Sequence, residues 1–315
     1  MTLVPKIYYD FKRWRQFQNQ IHKDFEKQEV ENTHRKIRFY NWWDRDAHVM
    51  WLHDFILKRG LLKESSKSIA LCSVFGERKV LDLVNSDVRV FFSGENLHNP
   101  RHAEYAGYML EGKKPFDLGI GFDFFEDKRY IRFPLWLMYM FAPDATENDI
   151  RERCEYLRYP EIGYREKFAA LVARADWNGM RGGLADKMAR YGIVSYPSDY
   201  RHNDDSLLTE YNDDKISYLK QFKFNICPEN TNAMGYVTEK IFESIEAGCI
   251  PIYWGAYGNP EPDVLNPDAI MMKIDKCNID KYDELAKLPR LKDGAEQYVI
   301  DLFDQLQAKL ESLIK

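Results

Sequence analysis

Phe222-Lys-Phe-Asn-Ile-Cys-Pro-Glu-Asn-Thr-Asn-Ala-Met-Gly-Tyr-Val-Thr-Glu-Lys-Ile-Phe-Glu-Ser-Ile-Glu-Ala-Gly-Cys-Ile-Pro-Ile-Tyr-Trp-Gly255 is the stretch whose reading decides the fold. Its first apolar run predicts a strand, and the polar centre predicts a loop. Ile241 and Ile245 mark the apolar stripe of a helix that ends at Gly248, before a second strand from Ile250. Thr238 is the expected N-cap, which places Glu239 and Lys240 in the first helical turn. There the unpartnered N–H groups and the helix dipole concentrate positive potential. A cation beside them suits an anion such as a diphosphate, so the unit points to a nucleotide-sugar pocket.

Two alternating series surround this stretch. In the first, Lys36–Trp43 predicts a strand and 46–59 a helix that stops at Gly60. The apolar runs 69–75, 88–92 and 117–122 suit buried parallel strands. A charged segment, 143–164, carries Pro143, Pro160 and Gly163 and predicts a domain boundary. Beyond it come strands over 168–173 and 193–196, a helix over 180–190, the opening stretch and a strand over 269–274. The expected fold class is α/β, with two doubly wound Rossmann-like domains, 1–160 and 161–315, facing a central cleft.

Residues 11–38 are charged and read as a solvated helix, with a membrane-surface patch as the alternative. At the other end, Val299, Phe303, Leu306, Leu310 and Leu313 fall at helical steps. The helix 294–314 is expected to dock on the body, packing back on the N-terminal domain; a homodimer contact and a membrane contact are the alternatives.

A net charge of −5 argues against a nucleic-acid binder. Five scattered cysteines without a C-x-x-C pair fit free thiols in a reducing compartment. Met1–Lys12 holds no apolar signal-peptide core, and no apolar run approaches a membrane span. These readings predict a cytoplasmic protein, with peripheral association at the inner membrane face left open. The excess of aromatics, 15% of the chain, serves either core packing or sugar stacking.

No P-loop, H-E-x-x-H or G-x-S-x-G motif occurs, and Gly119-Ile-Gly121 lacks the third glycine of a dinucleotide fingerprint. The Asp pairs at 204–205 and 213–214 read as solvated loop residues rather than a metal-binding element. Glu95 follows a buried strand at the edge where α/β sheets bind ligands. It suits a general base or a turn carboxylate equally. Arg181 starts a helix and has a fork that fits a phosphate, against the alternative of a surface arginine. Lys240 carries the same alternative of a solvated helix residue. Glu239 either complements the helix dipole or contacts sugar hydroxyls and a developing positive charge.

Phe224–Asn230, Gly235–Ile241 and Ile250–Gly255 together resemble the signature of the α-1,3/1,4-fucosyltransferases, whose bacterial branch is nearest in length and in lacking a membrane anchor. Similarity extends to Phe92–Asn96, Gly119–Asp123, Arg129–Pro134 and the helix bearing Arg181. The resemblance implies a GT-B fold, with acceptor binding by the first domain and GDP-fucose binding by the second. It implies inverting transfer of L-fucose from GDP-β-L-fucose to a GlcNAc-containing glycan, with no metal or other cofactor. Under it Glu95 is the base, Arg181 and Lys240 hold the diphosphate, and Asn230 and Tyr236 line the donor pocket. Glu239 contacts fucose and steadies the oxocarbenium-like transition state. A transferase using another nucleotide sugar and a non-catalytic glycan-binding protein are the alternatives. The loop Pro228–Met234 is nearer the animal-type pattern, the heptad-repeat tail of some bacterial relatives is missing, and residues 1–35 match nothing in the family.

Overall fold

A computed structural model of the chain describes residues 4–43, 50–109 and 116–315. It separates into two compact units. The first comprises Met1–Gly121, Phe125–Ile131 and Leu306–Lys315, and the second Phe122–Phe124 and Arg132–Gln305. The change of unit near residue 132 comes earlier in the chain than the 160/161 division read from composition. Helix α3 (Leu135–Met140) and helix α4 (Glu147–Arg158) therefore group with the second unit. The reason is packing: Trp136 stacks on Phe242 at 4.0 Å, and Arg153 pairs with Glu246 at 2.7 Å.

Strands β1 (Ile37–Tyr40), β2 (Ile69–Cys72), β3 (Val88–Phe92), β4 (Leu118–Gly121) and β5 (Tyr130–Arg132) form one sheet in which spatial order equals chain order. β1 to β4 pair in parallel, and all of β2 is 0% exposed. A parallel strand covered on both faces reads as an unbroken apolar run, which is why these segments were legible. The long helix α1 (Val4–Glu31) and its following turn do more than sit in solvent. Just past the helix, Asn32 donates to the Phe39 carbonyl at 2.7 Å and accepts from the Phe39 N–H at 2.8 Å. Gln28 accepts from the Asn41 N–H at 2.7 Å. Side-chain amides thus occupy hydrogen-bonding groups of an edge strand that would otherwise invite pairing with another chain. Helix α2 spans Trp51–Lys58; the expected start at 46–49 lies outside the described residues.

The second unit holds β6 (Lys167–Ala170), β7 (Val194–Ser195), β8 (Phe222–Ile226) and β9 (Ile250–Ile252), all parallel, in the order β7-β6-β8-β9. The unit also holds α5 (Met180–Met188), α6 (Ser206–Thr209), α7 (Lys215–Leu219), α8 (Glu239–Glu246), α9 (Lys276–Asp280), α10 (Tyr282–Leu285) and the first part of α11 (Ala295–Ile314), whose residues from Leu306 belong to the first unit. From β6 the chain crosses to β7 on one side, and from β8 to β9 on the other. Neighbouring strands whose connections leave in opposite directions open a crevice at their carboxyl ends. This unit is also clamped by a buried ion pair between Arg132 and Glu261 at 2.6 Å, with Arg132 Nε donating to the Phe122 carbonyl.

The apolar stripe of α11 is buried from Val299 through Leu310. In the second unit Phe303 packs on Phe133 and Phe141. In the first, Ser65 and Lys67 donate to the Ile314 and Leu313 carbonyls. Among the described residues no helix is long and apolar enough to cross a membrane. Four cysteines are buried, Cys277 is exposed, and all five are free thiols.

Candidate active site

The crevice between the carboxyl ends of β6 and β8 is a cavity of about 570 Å³. Its wall comes from the segment after β6 (Leu171–Ala175, Trp177), the start of α5 (Arg181), Lys215, the end of β8 with Pro228 and Asn230, and the start of α8 (Glu239, Lys240). Four cations, Arg174, Arg181, Lys215 and Lys240, share this wall with one carboxylate, Glu239.

Lys240 is the most tightly held. Its Nζ donates to the Thr238 hydroxyl at 2.7 Å and to Glu239 at 3.2 Å, and lies 3.5 Å from Glu229. Burial alone would lower the Lys240 ammonium, but Glu229 and Glu239 outweigh it and push its pKa up. It is a permanent cation. For Glu239, burial raises the carboxyl, while Lys240 and Lys215 overcome that and hold it below the ordinary carboxylate range. The carboxylate is therefore ionised at neutral pH.

Glu229 is one residue that sequence reasoning missed. It is 1% exposed, accepts from the Thr238 N–H at 2.8 Å and the Thr238 hydroxyl at 2.7 Å, and receives the Tyr253 hydroxyl at 3.3 Å. Its pKa is raised, burial being the largest cause, with Lys240 opposing. Thr238 is the N-cap of α8 by position, yet its hydroxyl turns to Glu229 instead of capping. The first-turn amides of α8 thus have no side-chain cap, and an anion at a helix start is stabilised by such groups. Gly255 lets the next strand pass this close: φ is +154°, and a Cβ there would sit 2.7 Å from the Glu229 Cγ. An acid beside Pro228 at a strand end, nine residues before Thr238, was the available signal for Glu229.

Arg181 donates to the Asn230 side chain at 2.9 Å and to the Ala175 carbonyl. Its backbone N–H and that of Gly182 are taken by Asp176, at 3.2 and 2.8 Å. Arg181, Asn230, Glu239 and Lys240 are thus brought together around one cavity. Tyr236 is not among the residues lining it: it is 2% exposed and meets Phe122 edge-on at 5.1 Å. Lys215, passed over in a loop read as solvated, belongs to the wall and pairs with Glu243.

That loop needs a further correction. Asp204 is not solvated: it accepts from the Ser206 N–H and hydroxyl and from the Tyr218 hydroxyl at 2.8 Å, with Lys167 at 3.7 Å. Burial opposes ionisation, but these donors prevail and its pKa falls to about 2. Asp214 caps α7 through the Ser217 N–H. The oxygens of both carboxylates thus serve local backbone N–H groups and hydroxyls. Asp205 pairs with His202 at the surface.

Glu95 stands in the first unit, three residues past β3. The buried Ser93 hydroxyl accepts from the Glu95 N–H at 3.1 Å and donates to its carbonyl at 2.9 Å, fixing the turn. Glu95 as a residue is half-buried. Burial lowers the His102 imidazole, and the charge of Glu95 works against that.

Comparison with known proteins adds a second line. The model of the alpha-(1,3)-fucosyltransferase FucT N-terminal domain matches residues 37–139, and that of the glycosyltransferase family 10 (fucosyltransferase) C-terminal region matches 165–299. An alpha-(1,3)-fucosyltransferase FucT from Helicobacter pylori is 30% identical over 234 residues, covering 65% of this chain and 44% of that protein. Alpha-(1,3)-fucosyltransferase B of Drosophila melanogaster is 26% identical over 243 residues, covering 68% and 51%. The chain spans about half the length of these curated relatives. A crystal structure of an alpha1,3-fucosyltransferase superposes with a TM-score of 0.50 at 22% identity, over 89% of this chain and 81% of that one; it shares the fold.

Proposed function

We propose a donor and a reaction for this chain, which belongs to the fucosyltransferases of glycosyltransferase family 10. The reaction is transfer of L-fucose from GDP-β-L-fucose, with inversion, to the O3 or O4 hydroxyl of GlcNAc in a lactosamine-type glycan. The observation that carries it is the cavity at the β6/β8 crevice, where Arg181, Lys240 and the uncapped start of α8 gather around one pocket.

The chemistry follows from those groups. Arg181 and Lys240 bind the diphosphate, and Lys215 and Arg174 add to the positive field. The acceptor oxygen attacks the anomeric carbon from the face opposite the diphosphate. Its proton passes to Glu95, and the bond from the anomeric carbon to the phosphate oxygen breaks with its electron pair leaving on GDP. Fixed cations stabilise that leaving charge without reorganising at the moment of transfer. Glu239, ionised beside the fucose, offsets the positive charge that develops on the sugar ring. Asn230 positions Arg181 and closes the donor side. Tyr236 acts through the packing of its loop. In this reading no metal is required.

Incubation with GDP-fucose and type 1 or type 2 lactosamine, followed by linkage analysis of the product by NMR, tests the proposal. The expected product is an α-fucosyl GlcNAc formed equally well in EDTA. Turnover of a different nucleotide sugar with none of GDP-fucose overturns the donor assignment, and loss of activity in EDTA overturns metal independence.

A further inference from the structure

Trp177 is 94% exposed, a rare state for an indole, and it stands at the cavity between β6 and β8. It is the single aromatic side chain among the residues lining that cavity. Both of its neighbours are anchored. Asp176 accepts from the backbone N–H groups of Arg181 and Gly182, at 3.2 and 2.8 Å. Asn178 accepts from the Met180 N–H at 3.0 Å and donates to the Asn230 carbonyl at 3.0 Å. The backbone under the indole is therefore fixed to the two segments that carry Arg181 and Asn230, while the ring itself is left in solvent.

We infer that Trp177 is the platform on which the nucleobase of the donor stacks, making it a positioning residue for the sugar-diphosphate rather than part of its charge grip. The inference rests on the donor reading above. The rest of the wall is cationic, amide, aliphatic or small, with the one carboxylate Glu239, and it supplies charge for a diphosphate but no other aromatic face for a planar ring. A base has two apolar faces, and stacking one of them on an indole removes that face and the covered face of the indole from water. An anchored backbone lowers the ordering cost on binding, because only the side-chain torsions of Trp177 have to settle.

Calorimetry with GDP and with inorganic pyrophosphate, on the wild-type chain and on Trp177→Ala and Trp177→Phe, tests this. Base–aromatic stacking predicts that Trp177→Ala weakens GDP about tenfold or more and leaves pyrophosphate unchanged, with Trp177→Phe close to wild type. Equal weakening of both ligands overturns the inference, since the residue then supports the loop and not the base. Unchanged GDP affinity in Trp177→Ala overturns it as well and leaves the indole as a surface for another partner. Failure of the wild-type chain to bind GDP removes the donor reading beneath it, a result distinct from either.

Discussion

In the first sheet the strands lie in the order in which the chain makes them, whereas in the second β7 and β8 lie on opposite sides of β6. The paired strands run parallel from β1 to β4 in the first sheet and throughout the second, and both sheets are followed by loops that carry candidate functional side chains. The second has a point where the connections diverge, and there a cavity of about 570 Å³ opens among cations. At the corresponding end of the first sheet the rings of Trp42, Trp43, Phe75 and Phe92 fill the space against one another, Trp43 meeting Phe75 at 4.6 Å. The cavity beside them measures about 190 Å³. Equal building blocks thus give one end that grips a charged ligand and another that offers rings and a carboxylate.

This contrast is broken most decisively through the two carboxylates. Glu95→Ala is expected to cut transfer by at least a hundredfold, the scale of a lost general base, while GDP affinity stays unchanged. A parallel loss of GDP affinity in calorimetry would erase the separation of roles. Glu239→Ala is expected to give a comparable loss of rate with a native circular dichroism spectrum; full activity would remove it from the mechanism.

Next in size is the cation grip. Arg181→Ala is expected to weaken GDP about tenfold to a hundredfold, the range of charge-assisted hydrogen bonds. Lys240→Ala should do the same and also lower the melting temperature, because Glu229 and Glu239 lose the cation that compensates them. Among the described residues Arg181 has only a carbonyl and an amide as side-chain partners, so Arg181→Ala should melt close to wild type. Equal melting shifts in the two variants would show that the grip is not organised around Lys240.

Two smaller effects mark the frames that carry the two ends. Asp204 sits at about 2 in the fold against an ordinary 3.8. Its stabilisation is complete above the ordinary value, falls as pH drops below about 4, and is gone below about 2. Asp204→Asn should therefore cost about 2 kcal/mol in urea unfolding at pH 7 and nothing at the acid limit. A cost independent of pH would assign the effect to packing. In the first unit, Asn32→Ala removes both edge hydrogen bonds to Phe39 and should cost about 1–2 kcal/mol. A larger cost would mean that the α1 segment carries more of that sheet than its edge.

Much of the fold was legible because buried parallel strands write themselves as apolar runs. The runs at 69–75, 88–92 and 222–226 became β2, β3 and β8 for that reason. Four of the expected donor-side residues, Arg181, Asn230, Glu239 and Lys240, share one wall because they flank strand ends and helix starts, which the pattern fixes. Other residues were less legible. Thr238 reads as a cap, but a capping hydroxyl and one given to a buried Glu229 look alike in sequence. Asp204 reads as solvated because its donors, Tyr218 and Lys167, come from elements that only folding brings near. Tyr236 belongs to the right motif and is buried in packing against Phe122.

Residues 222–255 by themselves determined a strand, a loop, a helix start with an acid–base pair in its first turn, and a second strand. Those are local consequences of hydrophobic period, turn chemistry and capping, each set within a few residues. The order β7-β6-β8-β9 was decided only by the tertiary structure, since no local rule says on which side of β6 the next strand lands. That order opens the crevice, and the crevice turns Lys215, Arg181 and Lys240, distant in the chain, into one field around a single cavity.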